Sequence, residues 1–273
     1  MISLRTQYYQ QFDADFSLDV PAEGYGGWKT GEIEIDPKRT AVLVMHAWDC
    51  GTPEQYPGWF RACAEIPRTY QICREVFPDL LAAVRASGLP LFHVVAEAGY
   101  FKDYPGYKRA VALAGPPPAP LPSCERDPVY DKLHQFRGDN VFVGKHNQDD
   151  TNRGWAKVGF PKEAEPKGNE GIAKDAHQLF ALCQEAGVNH LIYAGFNIDW
   201  CLLMSTGGMI DMSRRGFICS ALREAVTAVE NKETARQRLG REIGLWRVAV
   251  GFGFVFGVEE FKRAIRGRPQ HAP

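Results

Sequence analysis

Cys201, His46 and Lys145 are the residues of this chain whose types and surroundings could carry covalent chemistry. A cysteine that attacks a carbonyl needs a base for its proton, a cation to favour the thiolate and backbone donors for the oxyanion. Cys201 follows a short apolar run, residues 190–194, and a glycine-containing turn, residues 195–200. It opens a segment with helical spacing that passes Leu202, Met209 and Met212 and ends at Gly216. A strand, a tight turn and a helix put the thiol at the carboxyl edge of a sheet, where α/β folds bind ligands. They also put it at a helix N-terminus, where the dipole favours a thiolate. His46 follows the aliphatic run Thr40–Met45 and could serve as the base. Lys145 follows residues 140–144, NVFVG, and could serve as the cation. The amides of the turn from Asn197 to Cys201 could hold an oxyanion. Trp48 and Trp200 flank these positions as candidate pocket walls. Asp49 is placed to orient His46 or Lys145, or to bond the amides of its own loop.

The elements that must position these residues read as alternating strands and helices. Thr40–Met45, TAVLVM, reads as a central parallel strand. Residues 66–87 have helical spacing in Ile72, Val76, Leu80, Leu81 and Val84, and residues 90–96 read as the next strand. Residues 99–126 carry a proline run and read as an insertion loop. Residues 140–144 read as a third strand, 172–186 as a helix, 190–194 and 217–222 as strands, 227–242 as a helix, 245–256 as the last strand and 259–265 as a terminal helix. The expected fold is a three-layer α/β sandwich with a mainly parallel five- or six-stranded sheet and helices on both faces. Residues 1–37 read as an N-terminal arm, with residues 32–35 a possible edge strand, and residues 38–273 as one domain.

Composition narrows the function classes. The formal net charge of −1 gives no electrostatic case for nucleic acid or an anionic membrane. No apolar run approaches the ~20 residues that span a bilayer, and the N-terminus lacks an apolar leader core. A cytoplasmic location is the expectation. The seven cysteines make no CxxC and are irregularly spaced, which argues against a disulfide framework or structural zinc. His146, Asp149 and Asp150 have no second histidine at ligand spacing, so no metal is expected there. The glycines of GFGFVFG do not make a dinucleotide fingerprint. No cofactor is expected, and the expected partner is a small-molecule substrate.

These residues resemble the isochorismatase-like cysteine hydrolases, which include nicotinamidases and N-carbamoylsarcosine amidohydrolases. Their core has a strand ending in a catalytic Asp, a later strand ending in a catalytic Lys, and a turn G-x-x-T-[DN]-x-C. Here the turn reads Gly195-Phe196-Asn197-Ile198-Asp199-Trp200-Cys201, and the lysine strand reads Val141-Phe142-Val143-Gly144-Lys145. Arg215-Gly216-Phe217 and Arg223-Glu224-Ala225 fit the continuation, so the resemblance covers roughly residues 40–228. The chain departs from the pattern twice: His46 stands at the Asp position and Ile198 at the Thr position. The resemblance implies a cysteine hydrolase acting on a C–N bond of a small amide or ureido compound through a Cys201 thioester. It also implies a cis peptide between Phe196 and Asn197, an oxyanion hole from the amides of Asn197 and Cys201, and a homo-oligomer. With His46 at the Asp position, two readings stay open: a Cys-His-Lys enzyme, or a catalytically silent ligand-binding or scaffolding member of the fold.

Overall fold

The computed structural model describes residues 1–96 and 98–266. Eight strands form one sheet in the order β2-β1-β8-β7-β6-β3-β4-β5. They are β1 Ile2–Gln10, β2 Gly27–Ile35, β3 Thr40–Met45, β4 Leu91–Val94, β5 Gly171–Ala173, β6 His190–Gly195, β7 Ile218–Val226 and β8 Val255–Phe256. The strands from β3 to β8 pair in parallel, and β1 and β2 add an antiparallel edge.

The central strands follow from their composition. Every residue of β3 is buried, because helices cover both faces of the sheet. Ala41, Leu43 and Met45 enter one core with Leu191, Tyr193, Leu179 and Leu182. Val42 and Val44 enter the opposite core with Ile192, Leu80, Leu81 and Phe256. Each fully buried aliphatic side chain contributes about 1.5–3 kcal/mol, so β3 and β6 are the best anchored part of the sheet. Strand order reverses at β3, which lies between β6 and β4. That switch point leaves a crevice beyond the carboxyl ends of β3 and β6.

Several local expectations are corrected. The parallel part has six strands, and residues 1–37, read as an arm with a possible edge strand at 32–35, contribute two further strands, β1 and β2. Residues 66–87 form two helices, Ile66–Glu75 and Phe77–Ser87, broken just before Pro78. Residues 99–126 contain a helix, Pro105–Ala114, which Pro105 starts and Gly115 ends. Residues 140–144 are not a strand: the helix Pro128–Asn140 precedes a turn there, and Val141 and Phe142 are exposed. A strand so placed would leave its apolar side chains without a face to cover. The segment read as a helix over 172–186 begins as β5 and becomes helical only at Ala176, after Asp175 caps the Gln178 N–H. Residues 227–242 are mostly turns, and the helix is Leu239–Gly251. Its buried Gly244, Leu245 and Val248 follow helical spacing, which leaves only Val255–Phe256 as strand.

Glu170 locks the β4–β5 edge. Its carboxylate accepts from Arg85 Nε at 2.6 Å, His93 Nε2 at 2.9 Å and the Lys167 N–H at 3.0 Å. Burial alone would raise its pKa, but the bonds from His93, Arg85 and Lys167 prevail and hold it near 2, against an ordinary 4.5. The folded value lies below the unfolded one, so the stabilisation is complete above about pH 4.5 and is lost as pH falls towards 2. That difference corresponds to about 3 kcal/mol. Glu170→Ala is therefore expected to lower stability by about 3 kcal/mol in urea unfolding at pH 7. The gap from the unsubstituted chain should shrink as pH falls below 4.5. A gap independent of pH would contradict the charge-based account.

Candidate active site

Cys201 lies where β6 ends and the chain turns across the switch point. Gly195 closes β6 with φ +119°, and the Phe196 N–H donates to Met45 O at 3.0 Å. The turn is thereby fixed to the end of β3. The Phe196–Asn197 peptide is cis. Phe196 stacks on Phe77 with ring centroids 5.7 Å apart. Asn197 is held from two sides: its Oδ1 accepts from Thr227 Oγ1 at 2.5 Å, and its Nδ2 donates to Glu65 Oε1 at 3.3 Å. Asn197 O accepts from the Leu202 N–H at 3.0 Å.

The half-buried Cys201 starts a helix of only four residues, Cys201–Met204. A turn through Gly207 separates it from Met209–Ser213. The long helix expected after the cysteine is therefore absent, and so is the dipole invoked to favour a thiolate. Burial pushes the Cys201 thiol up from its ordinary 9.0. The nearby Ser205 hydroxyl and Asn197 N–H pull the other way, while Asp199 and Glu65 push it up further. The resting sulfur is a thiol at neutral pH, so attack requires proton removal during the reaction.

The sulfur opens into a cavity of about 470 Å³. Its walls include Trp48, Trp59, Trp155 and Trp200, with Phe142 and Phe196. The Trp48 and Trp155 rings meet edge to face at 4.7 Å, and Trp59 and Trp155 at 6.0 Å. Glu65 is the only charged side chain that lines it among the described residues. The lining holds no Lys or Arg, so an anionic ligand finds no ion-pair partner there. An uncharged or cationic ligand against the indoles is compatible.

His46 occupies the wall at the end of β3, with φ 53° and its N–H bonded to Val94 O at 2.9 Å. Its ring stacks on Trp48 at 4.6 Å. Its Nδ1 is buried and without a partner among the described residues. Burial lowers the imidazole to about 4. A ring of such low basicity is a weak acceptor for the proton of a thiol that burial raises. His46 thus stays neutral as a wall of the cavity and is a poor proton acceptor.

The remaining predicted residues divide. Trp48 and Trp200 line the cavity, Trp200 at its exposed rim. Asp49 is exposed and ties its own loop, its Oδ1 accepting from Tyr70 Oη at 2.6 Å and the Gly51 N–H at 3.0 Å. Lys145 is exposed in a short 3-10 turn, Lys145–Asn147, and does not line the cavity. The third parallel strand in chain order is β5, and the lysine that follows it is Lys174. The Ala176 N–H, two residues on, donates to Thr206 Oγ1 at 2.8 Å, which ties this strand end to the turn after Cys201. The sequence signal for Lys174 was weak: three apolar residues running directly into a helix. Glu65 was missed because it precedes a helix rather than a strand. Among the described residues, no group of His, Cys, Asp and Glu converges as a metal site.

No family model matches the sequence, and no curated protein matches it. Solved structures are similar to it. A cysteine hydrolase from Pseudomonas syringae pv. phaseolicola 1448A is 16% identical, with 85% of this chain and 94% of that chain covered and a TM-score of 0.48. An isochorismatase-like hydrolase from Alkaliphilus metalliredigens is 14% identical, with 84% and 99% covered and a TM-score of 0.46. An isochorismatase family protein from Burkholderia thailandensis is 12% identical, with 85% and 97% covered and a TM-score of 0.43. N-carbamoylsarcosine amidase from Thermoplasma acidophilum is also among them, at 14% identity, 81% and 97% covered and a TM-score of 0.40. This chain's own strand order is that of an open, mostly parallel sheet between helices. Among the described residues no helix is long and apolar enough to cross a membrane.

Proposed function

We propose that the chain is a cysteine hydrolase that cleaves a C–N bond of a small amide or ureido compound through a Cys201 thioester. The observation that carries this reading is the opening of Cys201 and its turn into an aromatic-walled cavity at the switch point of the sheet. A buried thiol has no need of such a cavity for packing. The Asn197 N–H, in the turn that carries the sulfur and lines the cavity, is the proposed donor to an oxyanion formed beside it. The cavity volume suits a substrate of one ring or a short chain. Its lining favours an uncharged one.

The test is release of amine or ammonia from a panel of uncharged, cationic and anionic amides and ureido compounds. Turnover that requires Cys201 supports the reading. Binding of panel members without turnover supports the second reading, a catalytically silent ligand-binding member. That second reading draws on the low basicity of His46 and the exposure of Lys145.

Strand order supports Lys174, which follows the third parallel strand, as the lysine of the resemblance in place of Lys145. Lys145→Ala is expected to keep kcat/KM within about twofold, since its side chain is exposed on a 3-10 turn that follows no strand. Lys174→Ala is expected to lower it by at least about tenfold. The reverse order of effects in steady-state kinetics would return the role to Lys145. A homo-oligomer is retained as part of the proposal and is read directly by light scattering.

A further inference from the structure

Among the described residues, one carboxylate lines the Cys201 cavity, and it stands beside the turn that carries the sulfur. Glu65 immediately precedes the helix Ile66–Glu75. Its backbone is fixed there, the Glu65 carbonyl accepting from the Arg68 and Thr69 N–H groups at 2.9 and 3.0 Å. Its Oε1 accepts from Asn197 Nδ2 at 3.3 Å. Asn197 belongs to the same turn as Cys201, and both line the cavity together with Glu65. Thr227 in turn fixes the Asn197 amide, so its Nδ2 is directed at Glu65.

We propose that Glu65 is the proton shuttle of this cavity, taking the proton from Cys201 and returning it to the leaving amine. The inference rests on the hydrolase reading above. The Cys201 S–H proton passes to the Glu65 carboxylate as the sulfur forms a bond to the substrate carbonyl carbon, and the carbonyl electron pair moves onto oxygen. Collapse of that oxyanion breaks the C–N bond, and the nitrogen leaves with the proton from Glu65. Water then attacks the thioester and gives one proton to Glu65. The C–S bond breaks, and the sulfur recovers its proton from Glu65. The products are the acid and the amine, and water is the only co-reactant.

The surroundings suit this role. Burial raises the Glu65 carboxyl above its ordinary 4.5, Asp199 adds to the rise, and the bond from Asn197 moderates it. Cys63 and Cys201 face it from the large cavity, which His46 also lines. Behind it, Arg68, Arg238, Arg241 and Glu230 line a smaller cavity of about 200 Å³ that Glu65 also borders. A carboxylate of raised basicity is a better acceptor than an imidazole near 4.

Glu65→Gln tests the proposal, because the glutamine oxygen still accepts from Asn197 while the proton site is gone. The probes are 4-nitroacetanilide, whose amine must leave protonated, and 4-nitrophenyl acetate, whose nitrophenolate leaves without a proton. The expected result is a fall in kcat on the anilide of about 10²–10⁴-fold, KM within about threefold and a clearly smaller loss on the ester. The acid limb of the anilide kcat/KM profile, with its midpoint above pH 4.5, should vanish in Glu65→Gln and persist at lower kcat in Glu65→Asp. Anilide kcat within threefold of the unsubstituted chain, or equal losses on both probes, would overturn the proposal. Should the unsubstituted chain match Cys201→Ala on both probes, the hydrolase reading fails, and Glu65 with it.

Discussion

Cys201→Ala is expected to lower hydrolysis of any amide that the chain turns over by at least about 10³-fold while leaving the fold and substrate binding intact. The expectation follows from position. Cys201 is the residue at which the β6 turn, the cavity and the Asn197 N–H meet. Removing its sulfur removes the atom that forms the covalent bond, and no neighbour takes its place. Cys50 and Cys63 also line the cavity. Burial raises both thiols, Cys63 to about 12, and neither follows the turn at the end of β6. Because the Cys201 side chain is half-buried and small, its loss should cost the fold about 1 kcal/mol or less. A kinetic loss of three orders of magnitude with little change in the unfolding midpoint would separate chemistry from stability. Turnover retained within tenfold in steady-state assays would remove the covalent mechanism.

The largest effect on stability is expected at Gly195. An added Cβ would meet Met45 O at 2.0 Å and the Met45 N and C at 2.9 Å. All three are backbone atoms of β3, held by the ladder to β6. The φ of +119° adds a strain that other residues rarely bear. Gly195→Ala should therefore lower stability by about 4 kcal/mol or more, enough to unfold a domain of ordinary stability in part. Gly216→Ala is the control. It also has positive φ, at +88°, but its added Cβ meets nothing within 4 Å. It should cost about 1–2 kcal/mol from backbone strain alone. Equal losses in urea unfolding for the two variants would show that the close approach of β6 to β3 is not what Gly195 protects.

Much of the fold was legible because the central strands bury both faces. An unbroken aliphatic run such as Thr40–Met45 has few other places to go, and the turn after Gly195 could be read against it. Legibility failed where strands were short or where apolar residues were few. Gly171–Ala173 has three residues, too few to display a period, and it runs directly into the cap at Asp175. That hid Lys174 and moved attention to residues 140–144, whose apolar side chains mark a helix end and a cavity wall instead of a strand. In the site, His46 was correctly placed at the end of β3, but its basicity depends on burial, which the sequence does not display. Glu65 lies outside every strand end, so its approach to Asn197 is a tertiary contact across 132 positions of the chain. The helix Leu239–Gly251 misled for the opposite reason: aliphatic residues next to a glycine-rich segment read as strand while their burial follows a helical period.

The most direct test of the central claim is the mass of the protein during turnover. A reaction with an amide substrate, quenched in acid within the first turnovers and digested, should yield the peptide bearing Cys201 with the mass of the acyl group added. The adduct should disappear once substrate is exhausted and be absent in Cys201→Ala. Steady turnover with no acyl adduct on Cys201, or an adduct on another residue at the same yield in Cys201→Ala, would contradict a thioester at this cysteine.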